Sequence, residues 1–247
     1  MGRIGVRAVL QSRRWHSLCY FGLLKATVIV LGLVCAAQTS VPGTITKLST
    51  GSATDQQNSP VISGTDVVWI DALTTSSTNF DVFLFALGSG TGAANLTNTP
   101  DEQEFLADID SGNIVWTHSS ASIPGDIVLY TKATGTASTI AASAALGMHF
   151  SEPAIHGRYV TYLQTSATQT DVGLYDTVLG TPIGPVTNDV AVQGHPRVGD
   201  DFVVYEDYNS GNAQIFGWQI STSGPPFAIA TGPGAQIQPD IDGNTVV

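Results

Sequence analysis

An all-β fold, a β-propeller of four-stranded antiparallel blades, is predicted by three features of the chain. A phrase, PVISGTDVVW at 60–69, returns as ADIDSGNIVW (107–116), PAIHGRYVTY (153–162) and PRVGDDFVVY (196–205), with a partial copy, PDIDGNTVV, at 239–247. The aromatics that close the complete copies, Trp69, Trp116, Tyr162 and Tyr205, are 47, 46 and 43 residues apart. A period in the forties with strand-like units marks an array of small sheets. Second, no stretch of 38–247 sustains a helical apolar period; short runs rich in Val, Ile, Phe and Trp alternate with turn residues. Third, Val67, Val68 and Trp69 are apolar at consecutive positions, where a sheet with one wet face would alternate. Both faces must be covered, and a blade between two neighbours achieves that.

In chain order, residues 1–37 stand apart in composition. They hold Arg3, Arg7, Arg13, Arg14 and Lys25, no acidic residue, and an apolar run, ATVIVLGLVCAA, at 26–37. A positive flank, a short apolar core and a small-residue exit describe a secretory signal peptide cut after Ala37, with Cys35 and Ala37 at the −3 and −1 positions. The alternative is an uncleaved N-terminal membrane anchor over 18–37, with Lys25 as its penalty. Either way the basic flank stays inside and the rest is exported, to the periplasm, the medium or the cell surface. Arg13-Arg14 and Cys35 lack the flanking residues of twin-arginine and lipoprotein signals.

Both cysteines, Cys19 and Cys35, fall in this leader, so the exported part relies on core burial, which its length permits. It keeps four basic residues (Lys47, Lys132, Arg158, Arg197) against twenty acidic ones, a net of −16. That balance speaks against nucleic acid as a partner, and against a membrane except through an uncleaved leader. The acids are spread and describe a solvated exterior.

After a Ser/Thr/Gly-rich lead-in at 38–55, the propeller region spans 56–247, with units at about 60–98, 107–141, 153–187, 196–230 and a partial 239–247. In the first unit four strands are expected at 60–63, 66–71, 80–87 and 93–98, joined as an up-and-down meander. Pro60 and its equivalents suit a strand start, where no ladder donor is needed. Gly64, Gly157 and Gly243 suit the tight turn that follows. The third strand recurs as DVFLF (81–85), DIVLY (126–130), DVGLY (171–175) and QIFGW (214–218), and the fourth as NLTN (95–98) and VTN (186–188).

The combined pattern, Q-x-x-P-x-I-x-G-x-x-V-V-W at 57–69, then D-I-x-x-Y and L-T, resembles the TolB-like β-propeller repeats of exported and cell-surface proteins. The resemblance covers about 44–247 and implies a propeller whose first strand is innermost. It leaves function open, because such propellers serve as binding modules, assembly parts and enzyme scaffolds. Departures are local: Ala107 for Pro, Gly173 within a third strand, and Gln214 for Asp.

The ends look like parts of one blade. TITKLST at 44–50 resembles a fourth strand, and 239–247 supplies a first strand and most of a second. Four blades plus part of a fifth are expected, as an incomplete ring; natural closure of four blades is the alternative.

No catalytic motif is present: no G-x-S-x-G elbow, H-E-x-x-H helix, cysteine nucleophile or Walker-type loop. GSGTG at 88–92 joins two strands and is expected to be a β-turn. His118, His149, His156 and His195 lack metal-ligand spacing, so no metal and no cofactor are expected. Asp71 and Asp207, two residues after the aromatic, suit turn caps.

One polar set recurs. Gln57, Gln103, His149, Gln193 and Gln236 stand just upstream of the expected first strands. With the first strand innermost, they would rim one mouth of the central channel, as neutral hydrogen-bonding groups for a peptide or glycan. Alternatively each ties its loop to the next blade. Two classes of function follow. One is an exported, non-catalytic module binding a protein, peptide or glycan. The other is the propeller portion of an exported hydrolase or lyase whose catalytic part lies beyond Val247, as in exported peptidases that the resemblance brings in. A downstream G-x-S-x-G would select the second.

Overall fold

The computed structural model describes residue 48 and residues 56–72 and 79–247. The leader, the lead-in strand expected at 44–50 apart from Leu48, and the segment 73–78 lie outside the described residues. Four antiparallel meanders follow one another. The first comprises β1 (Gln56–Ser63), β2 (Asp66–Ala72), β3 (Asp81–Ala86) and β4 (Ala94–Asn95). The second comprises β5 (Gln103–Asp110), β6 (Asn113–Ser119), β7 (Asp126–Thr131) and β8 (Thr136–Ala141). A single helical turn, α1 (Ser143–Leu146), leads to β9 (His149–His156), β10 (Tyr159–Thr165), β11 (Thr170–Asp176) and β12 (Thr181–Pro185). The fourth sheet is β13 (Gln193–Val198), β14 (Phe202–Asp207), β15 (Gln214–Gln219) and β16 (Phe227–Ala230). A two-stranded piece, β17 (Ile241–Asp242) with β18 (Thr245–Val246), begins a fifth. Strand order inside each complete sheet follows the chain, and among the described residues β17–β18 pairs with none of the other sheets, so the described sheets do not close.

The first strands of successive sheets lie side by side, while the fourth strands are largely exposed. This is the radial order that the resemblance implied. Three apolar clusters sit between neighbouring sheets: one around Ile70 and Trp116, one around Val115 and Tyr162, one around Leu163 and Tyr205. Trp116, Tyr162 and Tyr205 therefore pack toward the preceding sheet, while Val68 and Ile70, Val115, and Leu163, next to the aromatics of the first three sheets, face the following one. Trp69, Trp116, Tyr162 and Tyr205 are all buried. Their cross-strand partners differ: Phe83 stacks on Trp69 and Phe216 on Tyr205. Gly173 faces Tyr162; a Cβ there would come within 2.4 Å of the ring. The glycine that breaks the third-strand pattern is thus the seat of the aromatic.

The first strands begin three or four residues earlier than expected, and the reason is a bulge. Pairing with the second strand slips between first-strand residues Asn58/Val61, Phe105/Asp108, Ser151/Ala154 and Gly194/Arg197. At each bulge one non-glycine residue adopts a left-handed conformation: Ser59, Leu106, Glu152 and His195, with Gln238 at the same place in the fifth unit. Each such residue costs about 1–2 kcal/mol relative to ordinary backbone. Pro60, Pro153, Pro196 and Pro239 come directly after it, so proline marks the bulge and the strand continues on both sides. Carboxylates link neighbouring sheets near this line. Asp108 accepts from the Ile155 N–H at 2.9 Å, Glu152 from the His195 N–H at 3.0 Å, and Glu206 from the Gln238 N–H at 2.6 Å. Among the described residues no helix is long and apolar enough to cross a membrane.

Candidate functional site

One rim of the sheets collects the starts of the first and third strands, the ends of the second strands and the crossovers between sheets. Asp81, Asp126 and Gln214 open the third strands of their sheets and Asp171 is the second residue of its own; all four are buried, and these side chains hold the crossovers. Asp81 accepts from Asn95 Nδ2 (2.7 Å) and Thr97 Oγ1 (3.1 Å). Asp126 accepts from the Ser143 N–H (2.6 Å), and Asp171 from Thr187 Oγ1 (3.2 Å). Gln214, the departure from Asp, accepts from the Gly232 N–H at 2.8 Å and donates to the Gly232 and Gly234 carbonyls. The recurring aspartates are clamps for the crossover backbone.

The five expected rim residues do not share one register. Gln57, Gln193 and Gln236 each stand two residues before the left-handed residue of their unit; Gln103 and His149 stand three before it. The matching positions in the second and third units are Glu104 and Phe150. A one-residue slip along a strand turns a side chain to the other face, so Gln103 and His149 point away from the line of the other three. Four of the five also lie inside or at the start of the first strand; Gln236 lies outside any strand. Gln57 donates to Asp71 Oδ1 (3.2 Å). Gln193 is buried; it accepts from Thr187 Oγ1 and donates to Asp189 and Asp207. Gln236 donates its backbone N–H to the Ala213 carbonyl, and the His149 ring lies over Gly125. Asp207 caps a turn through the Asn209 N–H (2.9 Å), as expected, whereas Asp71 accepts from Gln57 and from Trp69 Nε1.

Correct register exposes a constellation that residue spacing concealed. Glu104 pairs across the hairpin with His118, at the place where Gln57 meets Asp71 and Gln193 meets Asp207. The Glu104 Oε1 to His118 Nδ1 distance is 3.2 Å, and Glu102 Oε1 lies 3.9 Å from His118 Nε2. Burial pushes the Glu104 carboxyl up to about 7, despite the hydrogen bond and charge of His118; Asp81 and Glu102 push the same way. The usable signal was the closing aromatic, since Gln57, Glu104, Phe150 and Gln193 each precede it by twelve residues.

Beside this group runs a groove of about 180 Å³ between the first and second sheets, lined by Asn58, Ser59, Ile70, Phe80, Phe105 and Leu106. Phe80 and Phe105 meet at 6.3 Å between ring centroids, and the Glu104 N–H donates to the Phe80 carbonyl. Phe105 and Leu106 are exposed because the bulge turns them out of the strand. GSGTG at 88–92 is the turn between β3 and β4, with Gly88 and Gly90 at positive φ.

No family model matches the chain, and no curated protein matches it. Solved structures do. TolB from Acinetobacter baumannii aligns with a TM-score of 0.53 at 12% identity over 71% of this chain and 44% of that one. The β-propeller domain of the Trilobed protease from Pyrococcus furiosus aligns with a TM-score of 0.52 at 12% identity, over 74% of this chain and 57% of that one. A Mycobacterium tuberculosis puromycin-hydrolyzing peptidase aligns with a TM-score of 0.59 at 12% identity, over 80% of this chain but 32% of that one. The chain thus spans less than two thirds of each of these structures. Its fold is that of a TolB-like β-propeller.

Proposed function

We propose that this chain is an exported, non-catalytic propeller module that binds a protein or peptide, or a glycan, at the crossover rim. The observation that carries the reading is the groove formed by Phe80, Phe105 and Leu106, which keeps apolar side chains at the surface. An exposed aromatic and an exposed leucine in a concave site fit an apolar anchor from a partner. Along the same rim, Gln57 and Gln236 offer neutral donors, and Gln103 and His149 bound it from the other strand face; Gln193 serves by holding its own crossover at Thr187 and Asp189. The leader at 1–37, as signal peptide or anchor, supports export, with 38–55 as lead-in and 56–247 as the binding body.

Selection of displayed peptides on the immobilised chain tests this. Enriched peptides should carry an aromatic or aliphatic anchor and lose binding to a Phe105→Asp/Leu106→Asp variant with an unchanged circular dichroism spectrum. Peptides that bind both proteins equally would remove the groove from the reading. The second reading, the propeller portion of an exported hydrolase or lyase, draws on the likeness to peptidase structures. Further repeats followed by a G-x-S-x-G in the reading frame beyond Val247 would decide for it.

A further inference from the structure

We propose that Glu102, Glu104 and His118 form a binding site for a first-row divalent cation of the zinc class. One ligand atom from each lies within 4.8 Å of the other two. Glu104 is 1% exposed. Its Oε1 meets His118 and, at 3.4 Å, Thr99 Oγ1; its Oε2 is buried with no hydrogen-bond partner among the described residues. A buried carboxylate oxygen without a donor is costly, and a bound ion is one of the few ways to account for it. Among the described residues no lysine or arginine pairs with Glu102 or Glu104.

The repeat sharpens the point. At the equivalent position the first and fourth sheets place Gln57 and Gln193, whose amides donate to Asp71 and Asp207, and the third places Phe150. The architecture is therefore served by an amide or a phenyl ring. In the second sheet alone an acid stands there, opposite a histidine, with a second acid two residues away. One imidazole and two carboxylates suit zinc-class cations, whereas calcium and magnesium favour sites made wholly of oxygen. Three protein ligands leave one tetrahedral position to water. Glu102, 36% exposed, opens the site to solvent, while Glu104 at 1% and His118 at 16% form its floor.

The test is a competition titration of the chelator-stripped full chain with zinc against a chromophoric chelator, for the wild type, Glu104→Gln, His118→Gln and His195→Gln. Cys19 and Cys35 can also take zinc, so the readout is the difference between variants. The wild type should hold one tight zinc more than Glu104→Gln or His118→Gln. Each of these changes should weaken that site more than the about 10–100-fold typical of an outer-shell change. His195→Gln should match the wild type, and calcium or magnesium should not compete. Glu104→Gln is expected to fold, because glutamine already stands at positions 57 and 193, and its melt in chelator should equal or exceed the wild type's. Equal stoichiometry and affinity across all four proteins would overturn the proposal, as would calcium competing on equal terms with zinc.

Discussion

Glu104 in the second sheet and Glu206 in the fourth are both 1% exposed, and each has a histidine nitrogen 3.2 Å from one of its oxygens. Their acidities move in opposite directions. Burial raises Glu104 to about 7, and His118 offsets only part of that. Burial also pushes Glu206 up, but the Tyr208 hydroxyl, the Gln238 N–H and His195 outweigh it and hold the carboxyl below its usual range. The Tyr208 Oη and Gln238 N–H contacts are short, 2.5 and 2.6 Å, whereas one oxygen of Glu104 has no partner. Burial sets the cost of a charge, and the number of donors decides whether the charge is kept. Position in the repeat explains the difference. Glu206 follows Tyr205 directly, on the side turned to the fifth unit, where Ile70 and Leu163 stand in other sheets. It reaches Gln238 across that boundary.

The largest expected effect is on Glu206. Glu206→Ala strips the acceptor from Tyr208 and Gln238 and the charge beside His195 at once; at about 1.5–3 kcal/mol for each hydrogen bond to a charged group, it should cost about 3–5 kcal/mol in denaturant unfolding. Glu104→Gln should be neutral or stabilising at neutral pH, because it replaces an orphaned oxygen by a donor. Similar losses in both variants would break the contrast.

Next in size is the pH dependence, measured in chelator. A group whose acidity is weakened by folding stabilises the fold below its unfolded value of 4.5 and loses that contribution as pH rises toward about 7. The stability of the wild type relative to Glu104→Gln should therefore fall across that window, by on the order of 2–3 kcal/mol. Asp81, Glu102 and His118 face Glu104, so the slope reports the cluster as a unit. Glu206 behaves in the opposite sense: its contribution is present above 4.5 and lost as pH falls below it. Relative to Glu206→Gln, the wild type should gain stability as pH rises through the acid range. Slopes of the same sign would refute the account by donors.

The two regions also show what the sequence could and could not convey. The period and the closing aromatics made sheets, their number and their order legible, because a strand covered on both faces must be apolar at consecutive positions. The bulge was not legible. Its left-handed residues are Ser59, Leu106, Glu152, His195 and Gln238, five residue types without a glycine among them, held by the sheets around them. Missing the bulge let Gln103 and His149 stand in for Glu104 and Phe150, one residue out of register. The histidines looked scattered because their acids come from elsewhere: Glu104 across a hairpin, Glu206 across the β13–β14 pair, Asp200 from the next sheet at 2.9 Å from His156. Such pairs appear only once strands are aligned.

The smallest expected effect is the most direct test of the donor argument. Tyr208→Phe removes one hydroxyl and leaves the His195 and Gln238 contacts to Glu206 in place. The same bond pushes the Tyr208 phenol up to about 12, since it favours the neutral phenol beside the ionised carboxyl. A hydrogen bond to a charged group contributes about 1.5–3 kcal/mol. Tyr208 is 39% exposed, so water replaces part of it, and a loss of about 1 kcal/mol is expected. With one donor fewer, Glu206 should move toward the behaviour of Glu104, and the acid limb of its stability curve should shift to higher pH. A curve that falls in stability without shifting along the pH axis would mean that the hydroxyl contributes packing alone. The low acidity of Glu206 would then rest on His195 and the Gln238 N–H, and the contrast with Glu104 would become one of backbone donors and charge.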